Sequence, residues 1–545
     1  MSVIRYLLPL LPSRDDYRSL KRSWRGDVLA GITVGIVALP LALAFGVSSG
    51  AGAEAGLVTA IVAGLVAAVF GGSNIQVSGP TGAMVVVLGP IVASHGVAAV
   101  AVVSLLAGVV VLVAGLAKLG RVVSYIPWPV IEGFTLGIAV IIFLQQVPAA
   151  LGVKAGPSAN AGIAAIESFG GVTWPAVLWP VAIVAVVVAI MLLVPLIHRQ
   201  LPASIIAIAV VSVVAILLGA PLARIGELPP ALPAPRLPVF DLAMLESLAG
   251  PALTVAALAA IESLLSARVA ASLSDTGPYD ADRELVGQGL ASIGAGFFGG
   301  MPATGAIART AVNLRSGGRT RLASIVHALV LLAVVYLATG VVSQIPLAAL
   351  SGVLMVTAAR MVSLATVSSV LGSTRSDAAV FIVTAIITVS FDLIVAVGIG
   401  IATAAFFALR NLARSGGVHR EELPLPAQPG DERIALFRLD GALFFGAADR
   451  MLDRVNSIQG VSVVIIRMSQ LQVLDATGAK VVTEMIHGLE RRGITVLVKG
   501  IQPEHLRTAA RVGVISSLRH QNHLFDDLGA AVAHARDHVG RITAD

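Results

Sequence analysis

Apolar residues recur along most of this chain in runs near the length of a bilayer crossing, and charged positions gather at the ends of those runs. The runs fall at about 28–46, 55–71, 78–93, 97–117, 125–147, 173–196, 203–220, 249–271, 284–299, 304–314, 322–342, 346–362, 377–393 and 393–412. They predict about fourteen membrane elements, several too short to span alone. Past residue 412 the texture changes: Gly416, Gly417 and the stretch from Pro424 to Pro429 read as a linker. Strand patterns at 434–439, 443–445, 463–466 and 496–498 then alternate with helix patterns at 476–491 and 503–511, which predicts a small α/β domain. The expected division is an N-terminal segment 1–24, a membrane domain 25–412, a linker 413–431 and a soluble domain 432–545.

Within the apolar region one short pattern occurs twice. The third element opens Ser78-Gly79-Pro80-Thr81-Gly82-Ala83-Met84, and the tenth opens Met301-Pro302-Ala303-Thr304-Gly305-Ala306-Ile307. Each reads Pro, then Thr-Gly-Ala, then a helix-forming run, and each holds third place in a set of seven elements. An odd number of crossings gives the two sets opposite orientation, so the chain divides into inverted repeats at about 25–220 and 245–412. The broken starts of the third and tenth elements are then expected near mid-membrane.

Composition sharpens this picture. The 545 residues are 57% hydrophobic and 12% charged, with a mean hydropathy of +0.91, which excludes an ordinary soluble protein. The net charge of +6 reads as membrane topology, and no nucleic-acid partner is inferred from it. Arg18, Lys21, Arg22 and Arg25 precede the first element, and Lys118, Arg121, Arg199, Arg315, Arg319, Arg321, Arg375, Arg410 and Arg414 follow even-numbered ones. That bias places both termini and the soluble domain in the cytoplasm of a cell with this chain in its inner membrane. With no cysteine, disulfides and thiolate metal sites are excluded. The N-terminus lacks the apolar core and cleavage site of a secretory signal, so the first span is the expected targeting signal.

The chemistry follows from the breaks. The first turn of a helix carries unpaired N–H groups and roughly half a positive charge, so two such ends aimed at one point attract an anion. Thr81 and Thr304 add hydroxyl donors, while Gly82, Ala83, Gly305 and Ala306 let a ligand approach the backbone. Glu262 lies inside the eighth element, where an ionised carboxylate costs at least about 2.5 kcal/mol, so it is protonated, paired or bound to a cation. It reads as a coupling residue, with Ser266 one turn on; the plainer reading is a hydrogen bond between helices. Arg309 either adds positive charge to the anion site or pairs with lipid phosphate. Glu132, Glu284 and Asp392 read as solvated carboxylates at segment ends. Gly31 with Gly35 and Gly296 with Gly300 read as close helix packing. No nucleotide loop, nucleophile elbow or histidine ligand spacing is present, so neither an enzyme nor an ATP-driven pump is indicated.

These residues resemble the SulP (sulphate permease) family from about Trp24 to the C-terminus. The likeness is carried by Arg25-Gly26-Asp27-Val28-Leu29-Ala30-Gly31, by residues 38–46 and by residues 299–313. It implies a seven-plus-seven inverted repeat with core and gate subdomains, elevator-like movement, a homodimer and a C-terminal STAS domain that can recruit a cytoplasmic protein. The loop Leu474-Asp475-Ala476-Thr477-Gly478 is similar to the STAS loop in which a Ser or Thr is phosphorylated, making Thr477 the regulatory candidate. Leu41 stands where many sulphate carriers have Gln, and Ala303, Ala306 and Ala308 replace a Ser-rich start, which points away from sulphate. Leu41 and Phe45 join the anion-binding candidates. The stretch from Leu39 to Gly56 is similar to bicarbonate carriers of the family, which bind sodium with an Asp at the place of Glu262. The run from Ala303 to Thr310 is similar to carriers of dicarboxylates with protons.

The expectation is thus a secondary transporter of a dicarboxylate such as fumarate or succinate, or of bicarbonate. It would be coupled to a cation at Glu262 and Ser266, with H+ favoured over Na+ by the longer arm of Glu. Sulphate transport, an uncoupled anion exchanger or channel, and a membrane-anchored signalling protein are the alternatives.

Overall fold

The computed structural model describes residues 8–17, 20–158, 160–198, 201–239, 241–391, 393–415, 417–424, 426–443 and 459–544. Arg18, Arg199, Asp392, Gly416 and Phe445, which figure in the sequence reading, lie outside the described residues. The chain forms two compact units, residues 1–401 and 402–545.

Helices occupy each predicted membrane segment. In the first half they are α1 (Leu20–Ser48), α2 (Ala53–Phe70), α3 (Gly82–His95), α4 (Ala98–Leu116), α5 (Trp128–Ala150), the short α6 (Ala161–Ser168), α7 (Leu178–Ile197) and α8 (Ala203–Leu217). The second half runs α9 (Leu242–Ser272), α10 (Ala281–Phe297), α11 (Ile307–Arg315), α12 (Arg321–Leu337), the single turn α13 (Thr339–Val342), α14 (Leu347–Met361), α15 (Leu364–Ser373), α16 (Arg375–Ser390) and α17 (Leu393–Ser415). Among the described residues, 8 helical stretches are long and apolar enough to cross a membrane. The helices α6, α13 and α15 were not separate segments in the hydrophobic pattern, because each is shorter than the run it borders.

Helix α3 is short for a physical reason: Pro80 lacks the N–H a preceding turn would need, so the chain enters extended. Residues Ser78–Gly79 form β1 and Thr304–Gly305 form β2. The two pair antiparallel, Ser78 with Gly305 and Gly79 with Thr304. The repeated motifs therefore meet each other directly, through backbone groups that no helix satisfies.

Helices α1–α4 pack with α9–α12, while α5, α7 and α8 pack with α14 and α16. Small residues set the first of these groups. A Cβ at Gly31 would lie 2.5 Å from the Ala323 carbonyl oxygen, and one at Gly35 would lie 2.7 Å from Val330 Cγ1. At the far end of α10, a Cβ at Gly296 would reach within 2.8 Å of Leu105 Cγ and one at Gly300 within 2.9 Å of Thr59 Oγ1. The Gly31–Gly35 pair is a close helix contact, as its spacing implies; Gly296 packs within α10, but Gly300 lies beyond the end of that helix, so the second pair is not one helix face.

The second unit carries a five-stranded sheet in the order β3 (Gly417–Glu421), β4 (Ile434–Leu443), β5 (Val463–Leu474), β6 (Thr495–Lys499), β7 (Leu524–Phe525). Strand β3 runs antiparallel to β4 and the remaining pairs are parallel. Helices α18 (Ala476–Arg491) and α19 (Pro503–Val512) cover one face, and α20 (Leu528–Ala544) the other. The expected linker 413–431 is a correction: α17 continues to Ser415 and residues 417–421 are an edge strand. Its polar composition hid it, since Glu421 faces water-side arginines, bonding Arg438 Nη1 at 2.7 Å and Arg467 Nη1 at 3.0 Å.

Candidate anion-binding site

The two broken helices converge on one carboxylate. Thr81 is the N-cap of α3, yet its hydroxyl makes no capping bond and donates instead to Glu262 Oε2 at 2.8 Å. Thr304 in β2 donates to the same oxygen at 2.8 Å, and its hydroxyl lies 3.2 Å from that of Thr81. Helix α11 begins after Ala306, which likewise offers no side-chain cap. Ala306 N–H is held by the Val77 carbonyl at 2.8 Å, and Val77 N–H by the Thr310 hydroxyl at 3.0 Å. The two strands thus cross-brace the two helix starts. What remains are two uncapped helix N-termini inside a membrane domain, the feature that calls for a ligand.

Positive charge is present as well. Arg309 is 2% exposed, in the first turn of α11, and donates to the Pro80 carbonyl of the opposite repeat. A Cβ at Gly79 would sit 2.7 Å from Arg309 Nη1, so a side chain there would displace the guanidinium. The alternative pairing of Arg309 with lipid phosphate is overturned, because short α11 keeps the guanidinium in the protein interior.

Phe45 and Ile142 close the apolar side. A Cβ at Gly82 would lie 2.2 Å from Ile142 Cδ1 and 3.6 Å from Phe45 Cε1. Leu41 lies one turn before Phe45 on α1, buried like it, and Ala83 is buried in the first turn of α3. Ile142 was missed in the sequence: it comes from α5, and nothing local marks it out from its apolar neighbours.

The hydroxyl that reaches the second broken helix is that of Ser263, which accepts the Gly305 N–H at 3.1 Å. Ser266 Oγ is buried and has no hydrogen-bond partner among the described residues. Helical spacing favours residues four apart on one face, but β2 runs across α9 and meets consecutive residues. Glu262 and Ser266 remain the groups that could hold sodium; among the described residues no three His, Asp or Glu side chains gather as a metal site.

Glu284 corrects the sequence reading most sharply. It is 1% exposed, in the first turn of α10, which begins with residues the hydrophobic pattern excluded. Glu132 is half-buried and accepts the Trp128 indole N–H at 3.0 Å. In the second unit, Thr477 is exposed in the first turn of α18, where Asp475 caps the helix by accepting Gly478 N–H at 2.7 Å.

A helical membrane domain built of inverted repeats, with paired half-helices at its centre and an α/β domain after it, is the architecture of an anion transporter with a STAS domain. Residues 24–384 match the sulfate permease family and residues 426–531 the STAS domain. The chain belongs to the sulfate permease family. It is 31% identical to the bicarbonate transporter BicA of Synechocystis sp., over 94% of this chain and 94% of that one. It is 32% identical to YvdB of Bacillus subtilis, named provisionally for sulfate transport, over 93% of this chain and 96% of that one. The solved transmembrane domain of a cyanobacterial BicA superposes with a TM-score of 0.61 at 32% identity, covering 70% of this chain and 97% of that chain. Murine Slc26a9 shares the fold, with a TM-score of 0.82 at 17% identity, covering 98% of this chain and 94% of that chain.

Proposed function

We propose that this protein is a proton-coupled symporter in which a small anion binds between Thr81-Gly82 and Thr304-Gly305 while Glu262 carries the coupling proton. The observation that carries the reading is the shared bond: both threonine hydroxyls, one from each repeat, converge on Glu262 Oε2 at 2.8 Å. An anion using the same hydroxyls and helix ends must come within a few ångströms of that carboxylate. Two unit charges about 4 Å apart repel by roughly 4 kcal/mol at an effective dielectric of about 20, close to three decades of affinity. Protonating Glu262 removes the repulsion, and a neutral carboxyl can still accept from one threonine while donating elsewhere. Anion and proton therefore load together, and falling external pH raises uptake. A monoanion entering with one proton moves no net charge against the membrane potential.

The substrate class is a dicarboxylate such as fumarate or succinate, or bicarbonate. The small side chains Ala83 and Ala306 add little bulk at the helix ends, Phe45 and Ile142 supply an apolar wall, and a relative that aligns along nearly the whole chain is named for bicarbonate. Movement is of the elevator type, with α1–α4 and α9–α12 carrying the anion against the group of α5, α7, α8, α14 and α16. Arg and Lys positions place the termini and STAS domain in the cytoplasm, where Thr477 offers an exposed hydroxyl for phosphorylation and the domain a surface for a partner. Two copies are expected to form the working homodimer.

The test is uptake of bicarbonate, fumarate, succinate and sulphate by purified protein in liposomes under imposed proton and sodium gradients. A proton gradient is expected to drive accumulation of one of the first three, and Glu262→Gln to abolish that accumulation. Accumulation driven by sodium alone would move the coupling role to a cation held by Glu262 and Ser266. Sulphate accumulation, or exchange indifferent to both gradients, would overturn the substrate or the coupling.

A further inference from the structure

Glu284 does not touch the proposed anion position, yet it is joined to both broken helices. Its Oε2 accepts the Gly72 N–H at 2.8 Å and the Ser73 N–H at 3.1 Å. Its Oε1 accepts the side-chain amides of Gln76 and Gln288, each at 2.9 Å. Among the described residues, every group hydrogen-bonded to this carboxyl is a donor. The backbone N–H groups of Gly72 and Ser73 are fixed donors, and with both amides turned as they are a proton on the carboxyl would meet another N–H, an arrangement that suits the ionised form. The amide oxygens of Gln76 and Gln288 are buried without partners, which means that the carboxylate, not acceptors of their own, orients both amides. The nearby guanidiniums are held elsewhere: Arg283 donates to Asp16 with bonds of 2.9 and 2.7 Å, and Arg321 lies 3.7 Å from the same carboxylate.

Each glutamine continues to one of the paired strands. The Gln288 amide donates to Ser78 Oγ in β1 at 2.5 Å. The Gln76 amide presses on Gly305 in β2, where a Cβ would come within 1.8 Å of its Nε2. The Gln76 backbone carbonyl accepts the Ser324 hydroxyl of α12 at 2.7 Å. One carboxylate therefore braces both strands from behind, and the strands set where the N-termini of α3 and α11 aim.

We propose that Glu284 is a positioning residue for anion binding, a permanently ionised carboxylate that aligns the two broken helix ends through Gln76 and Gln288. The inference rests on the anion lying between those ends. It divides two carboxylates by their surroundings: Glu262 faces hydroxyls, which can donate or accept and so tolerate both protonation states, whereas Glu284 faces only N–H donors. The first exchanges a proton in each cycle and the second holds the frame.

The experiment is anion uptake by full-length protein in proteoliposomes, recording KM, maximal rate and the pH midpoint. Variants are Glu284→Gln, Glu284→Asp, Gln288→Met and Thr304→Val. Glu284→Gln turns an amide NH2 toward donors and is expected to raise KM about tenfold or more, the scale of a lost hydrogen bond to a charged group, with the pH midpoint unmoved. Glu284→Asp keeps the charge and recovers part of the affinity. Gln288→Met leaves the carboxylate with its other three donors, so it keeps the test open should Glu284→Gln fail to fold, and it raises KM in the same direction. A shifted or flattened pH midpoint in Glu284→Gln would make this residue a proton carrier and overturn the proposal. Unchanged KM in Gln288→Met and both Glu284 variants, with KM raised in Thr304→Val, would overturn the positioning role alone. Unchanged KM in Thr304→Val would remove the anion site and this inference with it.

Discussion

Gly82 and Gly305 occupy equivalent places in the repeated motif, but their surroundings differ. A Cβ at Gly82 would meet the mobile end of Ile142 at 2.2 Å, whereas one at Gly305 would meet Gln76 Nε2 at 1.8 Å and the Ser263 Cα at 3.2 Å. The Ile142 methyl can turn aside, but Gln76 is held by Glu284 and Ser263 Cα is backbone. Gly82→Ala is therefore expected to keep measurable uptake with altered affinity, and Gly305→Ala to lose it, as read by initial rates in proteoliposomes at matched protein content. At this scale the sequence was informative where a residue breaks a rule. A carboxylate inside an apolar run, a Pro-Thr-Gly-Ala repeat and an arginine in a short segment all sit at the centre of the site. Glu284 and Ile142 escaped because neither looks unusual locally: one sits at the edge of an apolar run and the other is apolar among apolar neighbours. Their roles arise only from what α2, α3 and α10 bring beside them.

Helices and their ends carry the next level. The turn Arg14–Tyr17 places Asp16 against the starts of two core helices, where it accepts a bidentate bond from Arg283 and lies 3.7 Å from Arg321 Nη2. Burial pushes the Asp16 carboxyl up, but the Arg283 bond, the Ser13 N–H and the charges of Arg321 and Arg283 outweigh it and hold it below the usual carboxylate range. A depressed folded-state value means that this contribution is present above the ordinary Asp range and is lost as pH falls through the lowered value. Asp16→Asn leaves two nearly buried guanidiniums short of a partner, a loss of a few kcal/mol on the scale of a broken buried ion pair. The expected outcome is a lower unfolding temperature of the detergent-solubilised protein near neutral pH, with the difference from wild type narrowing in acid. In the other unit, Asp475→Ala removes the cap of α18 and costs about 1 kcal/mol, expected as faster amide exchange at residues 476–478. Most helix positions were legible from hydrophobic runs, while β1, β2, β3, β7 and the C-terminal helix α20 were not. Two-residue strands have no period to read, and β3 is an edge strand whose charged residues imitate a linker.

The whole molecule turns on inversion. Seven elements followed by seven more bring two matching breaks face to face, and that pairing aims two helix dipoles at one point. Family membership and fold agree with this, and the count of elements, the repeat and the C-terminal α/β domain were all legible before coordinates. What the sequence withheld is how tightly the breaks are tied: Glu262 links them from the front through Thr81 and Thr304, and Glu284 from behind through two glutamines. The central claim, that an anion takes its place between the broken ends as Glu262 takes up a proton, is tested most directly by proton release or uptake on binding. Purified protein in weakly buffered solution is titrated with the transported anion while a pH indicator is followed. About one proton should be taken up per anion bound by the wild type, making the medium more alkaline, and none by Glu262→Gln. Binding without proton uptake in the wild type, or equal uptake in both proteins, would contradict the account.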